Sequence, residues 1–164
     1  MNPGRGGWVI ALSVMLALLL AIFHMPQSWP EWLTWWRPSW LLLVLFFWVV
    51  ELPHRIGLFA VWLIGIVCDA LFSHPLGLNG VLVATFAFLT WQFSTRLGMF
   101  SVVQQAGVLF VLVLGVELIR TFVLSLNGAA QLSFGILGIA FTSALIWPVV
   151  YLILLRVRIA ARVE

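Results

Sequence analysis

Lysine is absent from this 164-residue sequence, and charged residues make up only 8% of it. No stretch is polar enough to form a water-exposed domain, which excludes an ordinary soluble fold. A single cysteine, Cys68, excludes an intramolecular disulfide. The eight basic residues are all arginine and stand in ones and twos. A net charge of +3 so distributed is not a nucleic-acid-binding stripe, and no nucleic-acid partner is expected. Also missing are His-Glu-x-x-His, Gly-x-Ser-x-Gly, a phosphate-binding loop and any pair of cysteines. No catalytic residue, metal or cofactor is therefore expected, and the chain does not read as an enzyme.

What remains is apolar. Hydrophobic residues make up 64% of the chain, and its mean hydropathy is +1.18. This composition predicts an all-α integral membrane protein, with residues 1–164 as one membrane domain. Six transmembrane helices are expected, at about 8–24, 39–51, 56–72, 76–93, 106–126 and 134–155. Arg5 before the first apolar run resembles a signal peptide, but no small-x-small site precedes His24-Met25-Pro26. We read it as a retained helix. The second helix, closed by Pro53, is short for a span, and Trp147-Pro148 predicts a kink in the sixth. The segment 94–105 is expected to be a polar connection.

Between the first two helices, Trp29, Trp32 and Trp36, with Trp40 beyond, recur at helical spacing. Ser28 and Glu31 have capping-box spacing, and Pro30 suits a first turn. Indole rings favour the headgroup level, so a short Trp-rich helix lying in the membrane interface is expected. An aromatic docking face for a partner is the alternative.

Arginine placement gives an orientation. With six helices and a cytoplasmic N-terminus, Arg5, Arg55, Arg96, Arg156, Arg158 and Arg162 fall inside, and only Arg37 falls in an outer loop. This N-in/C-in arrangement satisfies the positive-inside rule. It puts His24 and His74 outside and His54 inside, so they do not converge on one metal. The inner arginines are best read as contacts to anionic membrane lipids.

Three charges lie within apolar runs: Asp69, Glu117 and Arg120. A charge near the bilayer centre costs at least ~2.5 kcal/mol, so each needs a partner. Glu117 and Arg120 are three apart and share a helix face. All three fall in the outer half of the membrane, level with Arg37. The expected arrangement is one intramembrane polar cluster of Asp69, Glu117, Arg120 and Arg37. In it Arg37 or Arg120 neutralises Asp69, and Glu117 is paired on its own helix or protonated. Structural ion pairing is the preferred reading, with binding of a partner helix or a substrate as the alternatives.

Several short motifs, in order, resemble one known family. They are Arg37-Pro38, Leu52-Pro53-His54-Arg55, Gly65-Ile66-Val67-Cys68-Asp69, Leu76-Gly77, Gln104-Gln105-Ala106, and Trp147-Pro148 followed by Arg156-Val157-Arg158. Their order and spacing are similar to those of the rod shape-determining protein MreD family over nearly the whole chain. The resemblance implies a non-enzymatic protein of the bacterial inner membrane that helps maintain cell shape during wall elongation. It implies work with MreC, and with MreB, RodZ, RodA and penicillin-binding protein 2. It also implies a fold similar to the substrate-binding S components of energy-coupling-factor transporters. Glu117 and Arg120 match no motif of the family. The leading expectation is a scaffold linking MreC and MreB to peptidoglycan synthesis. The rival is the substrate-binding component of a vitamin-type transporter.

Overall fold

The computed structural model describes residues 7–22, 36–72, 75–126, 128 and 134–161. Among the described residues there are helices and turns and no strand. The helices are α1 (Gly7–Ile22), α2 (Trp40–Glu51), α3 (Leu58–Phe72), α4 (Leu78–Gln92), α5 (Ser94–Leu97), α6 (Val102–Leu126) and α7 (Gly135–Ala160). The six longer ones fall on the six expected apolar runs. Two, α6 and α7, are long and apolar enough to cross a membrane, whereas α1 to α4 have 12 to 16 residues each. The Trp-rich interfacial helix, with Trp29 and Trp32, lies outside the described residues.

The fold is organised around its shortest apolar helix. At ~1.5 Å per residue, the 12 residues of α2 extend ~18 Å, well below the ~30 Å of a bilayer core. Every residue from Leu41 to Val50 is buried, because α1, α4, α5, α6 and α7 all pack around it. Aromatic rings lock this centre. Phe46 meets Trp147 of α7 edge-on at 5.0 Å and Phe86 of α4 at 6.2 Å, and Phe47 meets Tyr151 at 5.7 Å. Offset and edge contacts of this kind add about 0.5–1.5 kcal/mol each beyond simple burial. Trp48 is fully buried and donates its indole N–H to Ser13 Oγ of α1 at 2.8 Å, so its polar atom is satisfied.

Around this axis the closest pairs are α3 with α4 and α6 with α7. Gly65 permits the first pairing. A Cβ there would stand 2.5 Å from the Gly80 Cα and 2.6 Å from the Asn79 carbonyl oxygen. The backbones touch, and no other residue fits.

Helix α6 starts four residues before its expected position, and the physical reason is a capping box. Ser101 N–H donates to Gln104 Oε1 at 2.9 Å, while Gln104 N–H donates to Ser101 Oγ at 3.4 Å. The segment before it is not simply a connection, since Ser94–Leu97 forms α5. Helix α7 continues through Pro148 and past residue 155 to Ala160, carrying Arg156 and Arg158 on its last turns. Most of α6 and α7 is apolar on the outside as well. Only 22% and 33% of their most hydropathic windows are buried. Core helices of a soluble domain would be covered far more.

Candidate functional site

The expected polar cluster forms where the start of α2, the end of α3 and the start of α4 meet the middle of α6 and α7. Asp69 has partners other than those expected. The side chain is fully buried on α3, and among the described residues its carboxylate meets no guanidinium. Instead it accepts backbone N–H groups from Gly77 (2.8 Å), Asn79 (2.9 Å) and Gly80 (3.4 Å). The first amides of a helix have no partner within it, and they carry the positive end of the helix dipole. Gly77, at the N-cap position of α4, has φ +95°, a left-handed conformation that disfavours any side chain. It brings no capping group, so Asp69 caps α4 from the neighbouring helix. The sequence-based pairing of Asp69 with Arg37 or Arg120 is corrected accordingly: amides already balance the carboxylate.

Glu117 is paired on its own helix. Arg120 Nη1 donates to Glu117 Oε1 at 2.5 Å, and Arg120 Nε donates to Asn79 Oδ1 at 2.9 Å. Asn79 therefore links the two halves of the cluster, its amide on Asp69 and its side chain on Arg120. Ser39 extends the network to α2 and α7. Its hydroxyl donates to Glu117 Oε1 at 3.2 Å, and its backbone N–H donates to Ser143 Oγ at 3.0 Å. Ser143 in turn donates to the Ile139 carbonyl at 2.7 Å within α7. Ser39 thus precedes α2 in the N-cap position yet spends its hydroxyl on another helix.

Arg37 stands at the same end. Its Nη2 donates to the Ala21 carbonyl at 3.1 Å, placing a cation at the C-terminus of α1, where the helix dipole favours one. Arg37, Ser39, Asn79, Glu117 and Arg120 line a partly open cavity of about 250 Å³. Its remaining wall is mainly apolar and includes Cys68, Phe72, Val83 and Ile139. Trp40 lines this cavity and is partly buried, whereas Trp36 is half-exposed and meets Phe141 edge-on at 6.3 Å. The structure thus gathers four expected residues at one end, with Asp69 joined through Asn79.

A second polar contact ties the opposite end of α2. Glu51 accepts from Arg158 Nη1, joining the last residue of α2 to the last turns of α7. Reading Arg158 as a lipid contact missed this partner. Nearby, Pro53 and His54 line a second cavity of about 310 Å³ with Val49, Ile56 and Trp91. Arg55 closes the turn, its N–H donating to the Leu52 carbonyl at 3.1 Å. Trp147 is fully buried beside Phe46, and its indole N–H has no acceptor among the described residues. Sequence reasoning also passed over Ser39, Asn79 and Ser143, polar residues within or beside apolar helices, although that contrast was visible.

Among the described residues no group of three metal-ligating side chains forms. The arrangement is suited to holding helices together and to offering a small polar recess. The described residues are helical or in turns, and the two longest helices, apolar on their outer faces, are long enough to cross a bilayer, the character of a helical membrane protein. Residues 5–157 match the family of the rod shape-determining protein MreD, and the chain belongs to that family. It is 28% identical over 156 residues to the rod shape-determining protein MreD of Haemophilus influenzae, covering 92% of this chain and 91% of that protein. No solved structure matches it. The family is one of shape-determining proteins and is not a known enzyme family.

Proposed function

We propose that the chain is a non-catalytic scaffold of the bacterial elongation complex. In this reading it crosses the inner membrane six times, with both termini in the cytoplasm, as one membrane domain. It holds MreC and so links cytoskeletal MreB to peptidoglycan synthesis, in company with RodZ, RodA and penicillin-binding protein 2. The observation that carries the reading is the family match over residues 5–157, together with a fold in which nearly every described residue belongs to a helix or short turn. With so few of the described residues outside the helices, partners would be recognised through helix faces, consistent with the apolar exteriors of α6 and α7. The positive-inside distribution of arginine supports the orientation. The vitamin-transporter alternative draws no support from the comparisons.

The test is replacement of the resident MreD in a rod-shaped bacterium by this chain. Retained rods, with MreC recovered alongside the tagged protein, are expected. Round cells despite normal membrane levels would reject the role in shape. Normal rods with no MreC recovered would reject the partner while keeping the family function. A reporter fused after Glu164 is expected to be active only in the cytoplasm.

A further inference from the structure

The cavity at the Ser39 end holds an unspent recognition group. Arg120 has five N–H donors; it uses Nε on Asn79 and one Nη1 hydrogen on Glu117. Its Nη2 amino group has no acceptor among the described residues, and Arg120 lines the cavity. The side chain is mostly covered, at 21% exposure. Arg37 lines the same space, which makes two guanidiniums and one carboxylate around one recess. A planar guanidinium suits an acceptor with at least two oxygens, and phosphate offers them in the right geometry.

The remaining wall points the same way. At about 250 Å³, the recess is below the ~300–1,000 Å³ that encloses a drug-sized ligand. It admits a headgroup but not a whole lipid. Val83, Ile139 and other apolar residues make up much of the wall. Such a wall suits the glycerol and first methylenes behind a phosphate. We propose that this cavity binds the phosphate group of an amphiphile, with Arg120 Nη2 as the principal donor and Glu117 as an internal competitor for the same guanidinium. Glu117 holds Arg120 in place when the site is empty and sets an upper limit on affinity when it is filled.

The proposal rests on the membrane reading, so retention of the protein in alkali-washed membranes is checked first and separately. Detergent-purified protein is then titrated with phosphatidylglycerol, with a diacylglycerol of the same chains, and with inorganic phosphate, and bound molecules are counted by native mass spectrometry. One phosphatidylglycerol per chain is expected at concentrations where diacylglycerol leaves the protein bare. Arg120→Gln should weaken this by about tenfold or more, the factor one charge-assisted hydrogen bond supplies. Arg120→Lys should fall between the two. Glu117→Gln should tighten binding several-fold, a direction that lost folding cannot imitate. Binding of phosphatidylglycerol alone assigns the phosphate to a membrane lipid. Comparable binding of inorganic phosphate would overturn the amphiphile and leave only a phosphate site. Equal binding of phosphatidylglycerol and diacylglycerol, or no change in Glu117→Gln, overturns the site.

Discussion

The two ends of α2 are both tied by an acid and an arginine, and they are tied differently. At the Glu51 end the acid belongs to α2 and the cation to α7, so the ion pair itself joins two helices. At the Ser39 end both partners belong to α6, and an ion pair within one helix joins nothing. There the joining is done by neutral groups around the pair: Ser39 brings in α2 and α7, and Asn79 brings in α4. The backbone amides at Asp69 then bring in α3. The direct pair makes a closed clamp. The relayed network spreads one charge pair over four further helices and leaves a recess among them.

This contrast is open to experiment, and the largest effect is expected where the relayed end depends on backbone contact. Gly65→Ala would place a Cβ 2.5 Å from the Gly80 Cα and force α3 and α4 apart. A loss of about 3 kcal/mol is expected by thermal unfolding in detergent, at the upper end of overpacking penalties. Gly80→Ala should lose far less. The nearest atoms to its Cβ would be in the side chains of Ile66 and Trp62, at 3.2 Å, and those can shift. Equal losses for the two would show that backbone proximity is not what matters.

Next in size is Asp69→Ala, which removes the external cap of α4. About 2 kcal/mol is expected, the scale of a helix cap and of hydrogen bonds to a charged group. Hydrogen exchange should quicken first at Asn79 and Gly80. Protection unchanged at these amides would refute the capping role.

At the clamped end, Glu51→Gln or Arg158→Gln is expected to lose about 1–2 kcal/mol, between exposed and buried pairs, because both side chains are partly accessible. The exchanged double variant, Glu51→Arg with Arg158→Glu, should recover part of the loss, measured as melting temperature. No recovery would mean that packing, rather than charge, joins α2 to α7. Ser39→Ala should be the mildest change, about 1 kcal/mol, since Glu117 keeps Arg120. A loss as large as that of Asp69→Ala would make Ser39 the centre of the network rather than one of its links.

Much of this was legible in the residues. The helices stood out because long apolar runs are interrupted by Pro53, by Pro75 to Gly77 and by the small polar residues after Leu126. The Glu117–Arg120 pair followed from spacing alone. The partner of Asp69 did not, because backbone amides are the same in every sequence; only Gly77, which places them, carries a mark. The early start of α6 was readable in Ser101 and Gln104 as a capping box, and composition had obscured it. The central position of α2 was hidden for another reason. A helix that is apolar on every side reads alike whether lipid or protein surrounds it.

The length of α2 has an electrical consequence. Its two polar ends are ~18 Å apart along the helix, whereas an undisturbed bilayer core is ~30 Å thick. For a protein embedded as proposed, the insulating layer along its own axis is roughly 0.6 of the surrounding membrane's thickness. A given membrane potential then falls over a shorter path, and the field at Leu41–Val50 is steeper than in the lipid alongside.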